Sequence, residues 1–136
     1  MELGMIGLGR MGGNMALRLI QKGHRVVVFD PVAKSVEELA KQGAVGASSI
    51  PDLTRQLISP RTVWVMVPAG EPTENVISTL ANTLSPGDTI IDGGNSNYKD
   101  SMRRASNAKM KGLFFLDAGT SGGIWGLKEG YCLMVG

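Results

Sequence analysis

The feature that most constrains this chain is Gly7-Leu8-Gly9-Arg10-Met11-Gly12, set directly after the apolar run Leu3–Ile6, with Asp30 closing the next apolar run. Glycines at this spacing are common by chance, so their placement carries the meaning. A strand runs into the loop, an amphipathic segment leaves it, and an acid follows about 20 residues on, the pattern of a dinucleotide-binding βαβ unit. In that pattern Gly7 permits the tight turn, Gly9 lets the backbone approach a pyrophosphate, and Gly12 lets the helix pack on the strand. The free N–H groups and positive dipole end of the helix then favour the anion.

The rest of the chain repeats the alternation. The segment Arg10–Lys22 places Met15, Ala16, Leu19 and Ile20 on one helical face, and Gly23 stops it. His24–Asp30 reads as a strand buried on both faces. Ser35 and Glu38 form a capping-box pattern for a second helix ending near Gly43. Ser49, with Pro51 in the first turn, starts a short third helix through Leu57. Strands are expected over Thr62–Val67, Thr89–Asp92, Leu113–Asp117 and Tyr131–Val135. Helices are expected over Pro72–Leu84 and Tyr98–Lys109, and a glycine-rich loop is expected after Asp117, to Gly130. Continuous rather than alternating apolar strands, interleaved with helices, predict an α/β fold: a Rossmann-like, mostly parallel sheet with helices on both faces.

With 43% hydrophobic residues and 19% charged, the chain has the composition of an ordinary globular domain. A net charge of +2 with interspersed signs offers no stripe for nucleic acid. The longest apolar run, Val63–Val67, is too short to span a bilayer. The first residues already read as a strand, so no signal peptide is expected. The lone Cys132 fits a reducing compartment and a small core residue, so the cytoplasm is the expected location. No cysteine, histidine or carboxylate pair has metal-ligand spacing. The single histidine, His24, opens a strand at the edge opposite the site. Residues 1–136 are expected to form one domain of a longer protein.

Ligands of open parallel sheets bind beyond the carboxyl ends of the strands. Those ends carry Gly7–Gly12, Asp30, Pro68-Ala69-Gly70, Asn95-Ser96 and Ser121-Gly122-Gly123. Asp30 is typed to accept hydrogen bonds from adenosine ribose hydroxyls and to repel a 2′-phosphate, which favours NAD over NADP. Lys34 is the nearby cation able to meet such a phosphate, so NADP stands as the lesser alternative. Trp64 reads as core. Trp125 lies in the glycine-rich loop and is expected to pack, with a ligand or a domain beyond this chain as the surfaces it could meet; Lys128 beside Glu129 is expected to be a solvated charge, with neutralisation of an anion as its alternative.

Met5–Met15, with Ile91-Asp92-Gly93-Gly94-Asn95-Ser96, Asp100–Arg104 and Asp117–Gly123, resembles the N-terminal domain of 6-phosphogluconate dehydrogenase, in the β-hydroxyacid dehydrogenase superfamily. Asp30 with Val65–Gly70 resembles the shorter, NAD-preferring form. The resemblance implies a C-terminal helical domain absent from this chain, a homo-oligomer, and a place in the pentose phosphate pathway and gluconate utilisation. It implies oxidative decarboxylation of a phosphorylated sugar acid, 6-phosphogluconate, to ribulose 5-phosphate. The lysine base, its acid partner and the phosphate-binding basic residues then lie beyond this chain, and the isolated chain is inactive. The cofactor-binding set it implies is Gly7, Leu8, Gly9, Arg10, Met11, Gly12, Asp30, Val67, Pro68, Ala69, Thr73, Val76 and Asn95. Asn95 also has the catalytic role, bridging cofactor and substrate, and Asn95, Ser121, Gly122 and Gly123 hold the substrate. Ile124–Lys128 departs from the acidic, small-residue stretch that many members carry after Ser-Gly-Gly. The alternatives are another β-hydroxyacid dehydrogenase, such as one acting on 3-hydroxyisobutyrate, and a non-catalytic NAD-binding module.

Overall fold

A computed structural model describes all residues 1–136. Seven strands lie in one sheet: β1 (Glu2–Ile6), β2 (Arg25–Phe29), β3 (Val45–Gly46), β4 (Thr62–Val65), β5 (Thr89–Asp92), β6 (Phe114–Ser121) and β7 (Cys132–Val135). Their spatial order is β3-β2-β1-β4-β5-β6-β7. The first six pair in parallel and β7 pairs antiparallel with β6. The chain winds outward from β1 in both directions, so β1 and β4 diverge at a topological switch point, where a crevice opens. Registration is regular. Ile6 stands level with Phe29 and Val65, Val65 with Asp92, and Asp92 with Asp117. The loops after these residues therefore emerge along one edge.

Six helices complete the fold: α1 (Arg10–Gln21), α2 (Ala33–Ala40), α3 (Ile50–Arg55), α4 (Glu71–Thr83), α5 (Tyr98–Met110) and α6 (Gly126–Glu129). The strands alternate their side chains between two apolar layers. Leu3, Met5, Val26 and Val28 meet Met15 and Ala16 of α1 and Leu39 of α2. Ile6, Val27, Val63, Val65 and Ile90 meet Leu53 of α3, Ile77 and Leu80 of α4, and Ala108 of α5. Helices on both faces explain why β1 and β2 read as unbroken apolar runs.

The structure departs from the sequence expectations in several places. First, α2 starts at Ala33 with Val32 as its N-cap and no side-chain cap. Ser35 lies inside the helix, because Asp30 accepts from the Val32 N–H and closes the turn earlier. Second, β6 continues to Ser121, since Ala118–Ser121 find ladder partners in β7. The start of the expected glycine-rich loop is thus strand. Third, Cys132 is exposed rather than core, because β7 is an edge strand with all four residues exposed. Fourth, the two-residue β3 has no expected counterpart. Trp64 is half-buried against the α1 layer, and Trp125 is exposed. The histidine expectation holds: His24 Nδ1 lies 3.2 Å from the Met1 amine, just before β2 and away from the crevice. No helix is long and apolar enough to cross a membrane, and no group of three potential metal ligands occurs.

Candidate dinucleotide crevice

The three glycines of the first loop have different structural reasons. Gly7 has φ +91°, and a Cβ there would run into the Met66 carbonyl. A Cβ on Gly12 would run into the Gly7 carbonyl. Both are required by the chain's own packing. Gly9 is required by nothing in the protein: its φ is −62°, and no atom lies within 4 Å of where its Cβ would stand. Gly9 caps α1, which has no side-chain cap and no acid in its first turn. The start of α1 thus presents orphan N–H groups and a positive dipole end to open space. Helices α3 and α5 differ. Ser49 Oγ accepts from the Asp52 N–H at 3.1 Å, and Asn97 Oδ1 accepts from the Lys99 N–H at 3.0 Å.

Asp30 is half-buried at the lip of this loop. Its Oδ2 accepts from the Leu8 N–H and its Oδ1 from the Val32 N–H, each at 2.8 Å. One bond per oxygen fixes the carboxylate and leaves further lone pairs. A cleft of about 490 Å³ lies between Gly7, Gly9 and Asp30 on one side and Val67, Pro68 and Val76 on the other. Leu8 is buried, Met11 half-buried and Arg10 exposed. Lys34 points into solvent, 3.9 Å from Glu38, and does not line the cleft.

The remaining expected residues fall on the neighbouring loops. Ala69 is exposed beyond the cleft lining. Thr73, expected among the cofactor-binding residues, is instead fully buried. Its Oγ1 donates to the Pro68 carbonyl at 2.8 Å, so it holds the loop from beneath. Gly94 packs against that loop so closely that a Cβ would stand 2.6 Å from the Val67 carbonyl. Asn95 follows at φ +56°. Its Oδ1 accepts from the Thr120 N–H at 3.0 Å, and its Nδ2 donates to the Thr120 carbonyl at 3.3 Å. The amide expected to bridge cofactor and substrate therefore first joins the β5–α5 turn to β6. One N–H and one oxygen lone pair remain on an exposed residue. Ser121 ends β6 and is exposed, followed by Gly122 (φ +144°) and Gly123 (φ +48°). A Cβ on Gly122 would stand 2.8 Å from the Tyr131 ring.

Sequence reasoning gave no role to a buried polar network behind these loops. Asp92 is fully buried at the end of β5 and Arg104 is 2% exposed on α5. Asp92 Oδ1 accepts from the Gly94 N–H at 3.0 Å, and Oδ2 accepts from Ser96 Oγ at 2.6 Å and Arg104 Nη1 at 3.4 Å. Arg104 Nε donates to Glu74 Oε2 at 2.8 Å. Bonds from Arg103 and then Arg104 hold the Glu74 carboxyl at about 2, below its ordinary 4.5. A signal was present: Ser101, Arg104 and Ala108 share the buried face of α5. An arginine at a core position of an amphipathic helix needs a buried acid.

The fold and crevice define a Rossmann-type dinucleotide-binding domain. Its relatives specify it further. Residues 2–136 match the family described as the NAD binding domain of 6-phosphogluconate dehydrogenase, and the chain belongs to that family. The NAD(+)-dependent, decarboxylating 6-phosphogluconate dehydrogenase of Haloferax volcanii is 43% identical over 136 residues, covering 100% of this chain and 44% of that protein. The Plasmodium falciparum 6-phosphogluconate dehydrogenase, solved in its apo form and with NADP+ and 6-phosphogluconate, superposes with TM-score 0.91 at 33% identity. That match covers 99% of this chain and 30% of the other. Mycobacterium tuberculosis 3-hydroxyisobutyrate dehydrogenase, solved with L-serine, superposes with TM-score 0.88 at 28% identity, covering 99% and 46%. This chain spans less than half the length of each.

Proposed function

We propose that this chain is the cofactor-binding part of a longer enzyme that oxidatively decarboxylates 6-phosphogluconate to ribulose 5-phosphate, with NAD as hydride acceptor. The observation that carries the reading is the unfilled space at Gly9, facing the uncapped start of α1 beside a carboxylate held at the lip. NAD bound there supplies the electron sink. The first-turn N–H groups of α1 hold its pyrophosphate, Asp30 accepts from its adenosine ribose, Val76 lines the adenosine side, and Val67 and Pro68 flank the nicotinamide half. Asp30, with the exposed Pro31 and Val32 after it, offers no cation to a 2′-phosphate.

On the substrate side, the chain's contribution is positioning. The Ser121 hydroxyl and the Gly122 and Gly123 N–H groups hold the substrate carboxylate, and Asn95 orients substrate against cofactor with its free N–H and lone pair. The base and acid that move protons, and the cations that hold the substrate phosphate, come from the remainder of the protein. That remainder also makes the oligomer contacts. The 3-hydroxyisobutyrate dehydrogenase likeness supports a second reading, in which the acid lacks a phosphate. The test is to assay the longer protein with NAD+ and either acid, measuring NADH and ribulose 5-phosphate. Turnover of 6-phosphogluconate alone supports the proposal, and turnover of 3-hydroxyisobutyrate alone contradicts it.

A further inference from the structure

Three loops form the working edge of the sheet, and a single buried guanidinium touches two of them. Arg104 Nη2 donates to the Gly70 carbonyl at 3.3 Å, where the β4–α4 loop enters α4. Its Nη1 donates to Ser96 Oγ at 3.1 Å and faces Asp92 Oδ2, inside the β5–α5 turn. Its Nε reaches Glu74 in the first turn of α4. Between Gly94 and Ser96, both bonded to Asp92, sits Asn95 in a left-handed conformation that its surroundings maintain. Asn95 in turn grips Thr120, the residue before Ser121.

We propose that Arg104 is a positioning residue that couples the β4–α4 loop on the cofactor crevice to the Asn95 turn on the substrate side. The inference rests on the dinucleotide-binding reading above. The planar fork of arginine suits such a link, because its N–H groups point in fixed, divergent directions to both loops. Lysine reproduces the charge but not the fork. The centre of the network is also dry. Each Asp92 oxygen has a partner, and Arg104 is shielded from water, so movement of Gly70 is felt at Ser96 rather than absorbed by solvent. Arg103 is the internal control. It makes a two-point pair with Glu74 at 2.9 and 2.8 Å, sharing that carboxylate with Arg104, and bonds to neither loop, so it separates the Glu74 pair from the Gly70 and Ser96 bonds.

The test uses the 136-residue chain labelled with nitrogen-15, following the Asn95 side-chain amide signal, assigned by its loss in Asn95→Asp. Arg104→Lys and Ser96→Ala are expected to move that signal in the free protein and to weaken NADH binding about tenfold. Arg103→Lys leaves both unchanged. A general loss of stability does not produce this selective pattern. If Arg104→Lys and Ser96→Ala fold and keep the original signal and NADH affinity, the proposal is overturned. A moved signal with unchanged affinity also overturns it, since the turn is then set without coupling. If Arg104→Lys fails to fold, Ser96→Ala decides. If the unmodified chain binds no NADH, the dinucleotide reading and the coupling to it both fall, and the Asn95 signal still reports whether Arg104 sets the turn.

Discussion

The two sides of the working edge are built in opposite ways. At β1 and β2 polar capacity is left open toward the crevice: α1 starts without a side-chain cap, Gly9 leaves space, and Asp30 spends only one bond per oxygen. At β5 and β6 the polar groups are used internally. Asp92, Ser96, Arg104 and Glu74 satisfy one another, and Asn95 is bonded to Thr120. The first side is organised to receive a ligand's charge, the second to hold a geometry. Substitutions of ligand-facing groups on the first side should therefore change affinity with little change in stability, and substitutions on the second should change both.

The largest effect is expected at Asp92. Asp92→Ala leaves Arg104 facing an empty buried site and should cost about 3–5 kcal/mol, read from the urea midpoint. A loss below about 1 kcal/mol, the range of an exposed ion pair, would remove the contrast. Next come the glycines of the first loop, which sharpen the comparison within one motif. Gly7→Ala forces a Cβ against the Met66 carbonyl at positive φ and should cost about 3 kcal/mol. Gly9→Ala, at a φ that alanine adopts freely, should leave stability unchanged or about 0.5 kcal/mol higher. Its NADH affinity should nevertheless fall at least about tenfold. Equal effects of the two substitutions would break the distinction between a fold glycine and a ligand glycine.

A smaller effect concerns acid. The Glu74 carboxyl is held at about 2 against an ordinary 4.5, so the folded chain binds its proton less readily than the unfolded chain. The stability this supplies is complete above about 4.5 and is lost as pH falls toward about 2. Glu74→Gln should be less stable than the original at neutral pH, with the gap closing across that window in denaturation curves. The smallest effect belongs to Lys34. Its ammonium is exposed and outside the cleft, so Lys34→Ala should alter the NADH-to-NADPH affinity ratio by less than about twofold. A larger change would assign cofactor choice to Lys34 rather than Asp30.

Much of the fold was legible because its signals are local. The Gly7–Gly12 loop, the Val26–Phe29 run and the Ser49 cap each act within a few residues, and each lies where the spacing predicts. The errors arose where a distant partner decides. Strand β7 converts Ala118–Ser121 from loop to ladder and leaves Cys132 at an exposed edge. The start of α2 is the exception: Asp30 reaches Val32 only two residues on and moves the helix start ahead of the Ser35 pattern. The candidate site divides in the same way. Gly9 and Asp30 are readable from their motif, whereas the engagement of Asn95 by Thr120 and the burial of Thr73 beneath Pro68 depend on how loops pack. Arg104 carried a readable sign, a charge on a buried helical face, whose partner only the folded chain identifies.

The most direct test of the central claim is calorimetric titration of the 136-residue chain with NADH and, separately, with NADPH. Saturable one-site binding of NADH is expected, with NADPH at least about tenfold weaker because its 2′-phosphate meets the Asp30 carboxylate. Equal or tighter binding of NADPH, or binding of neither nucleotide, would contradict that claim.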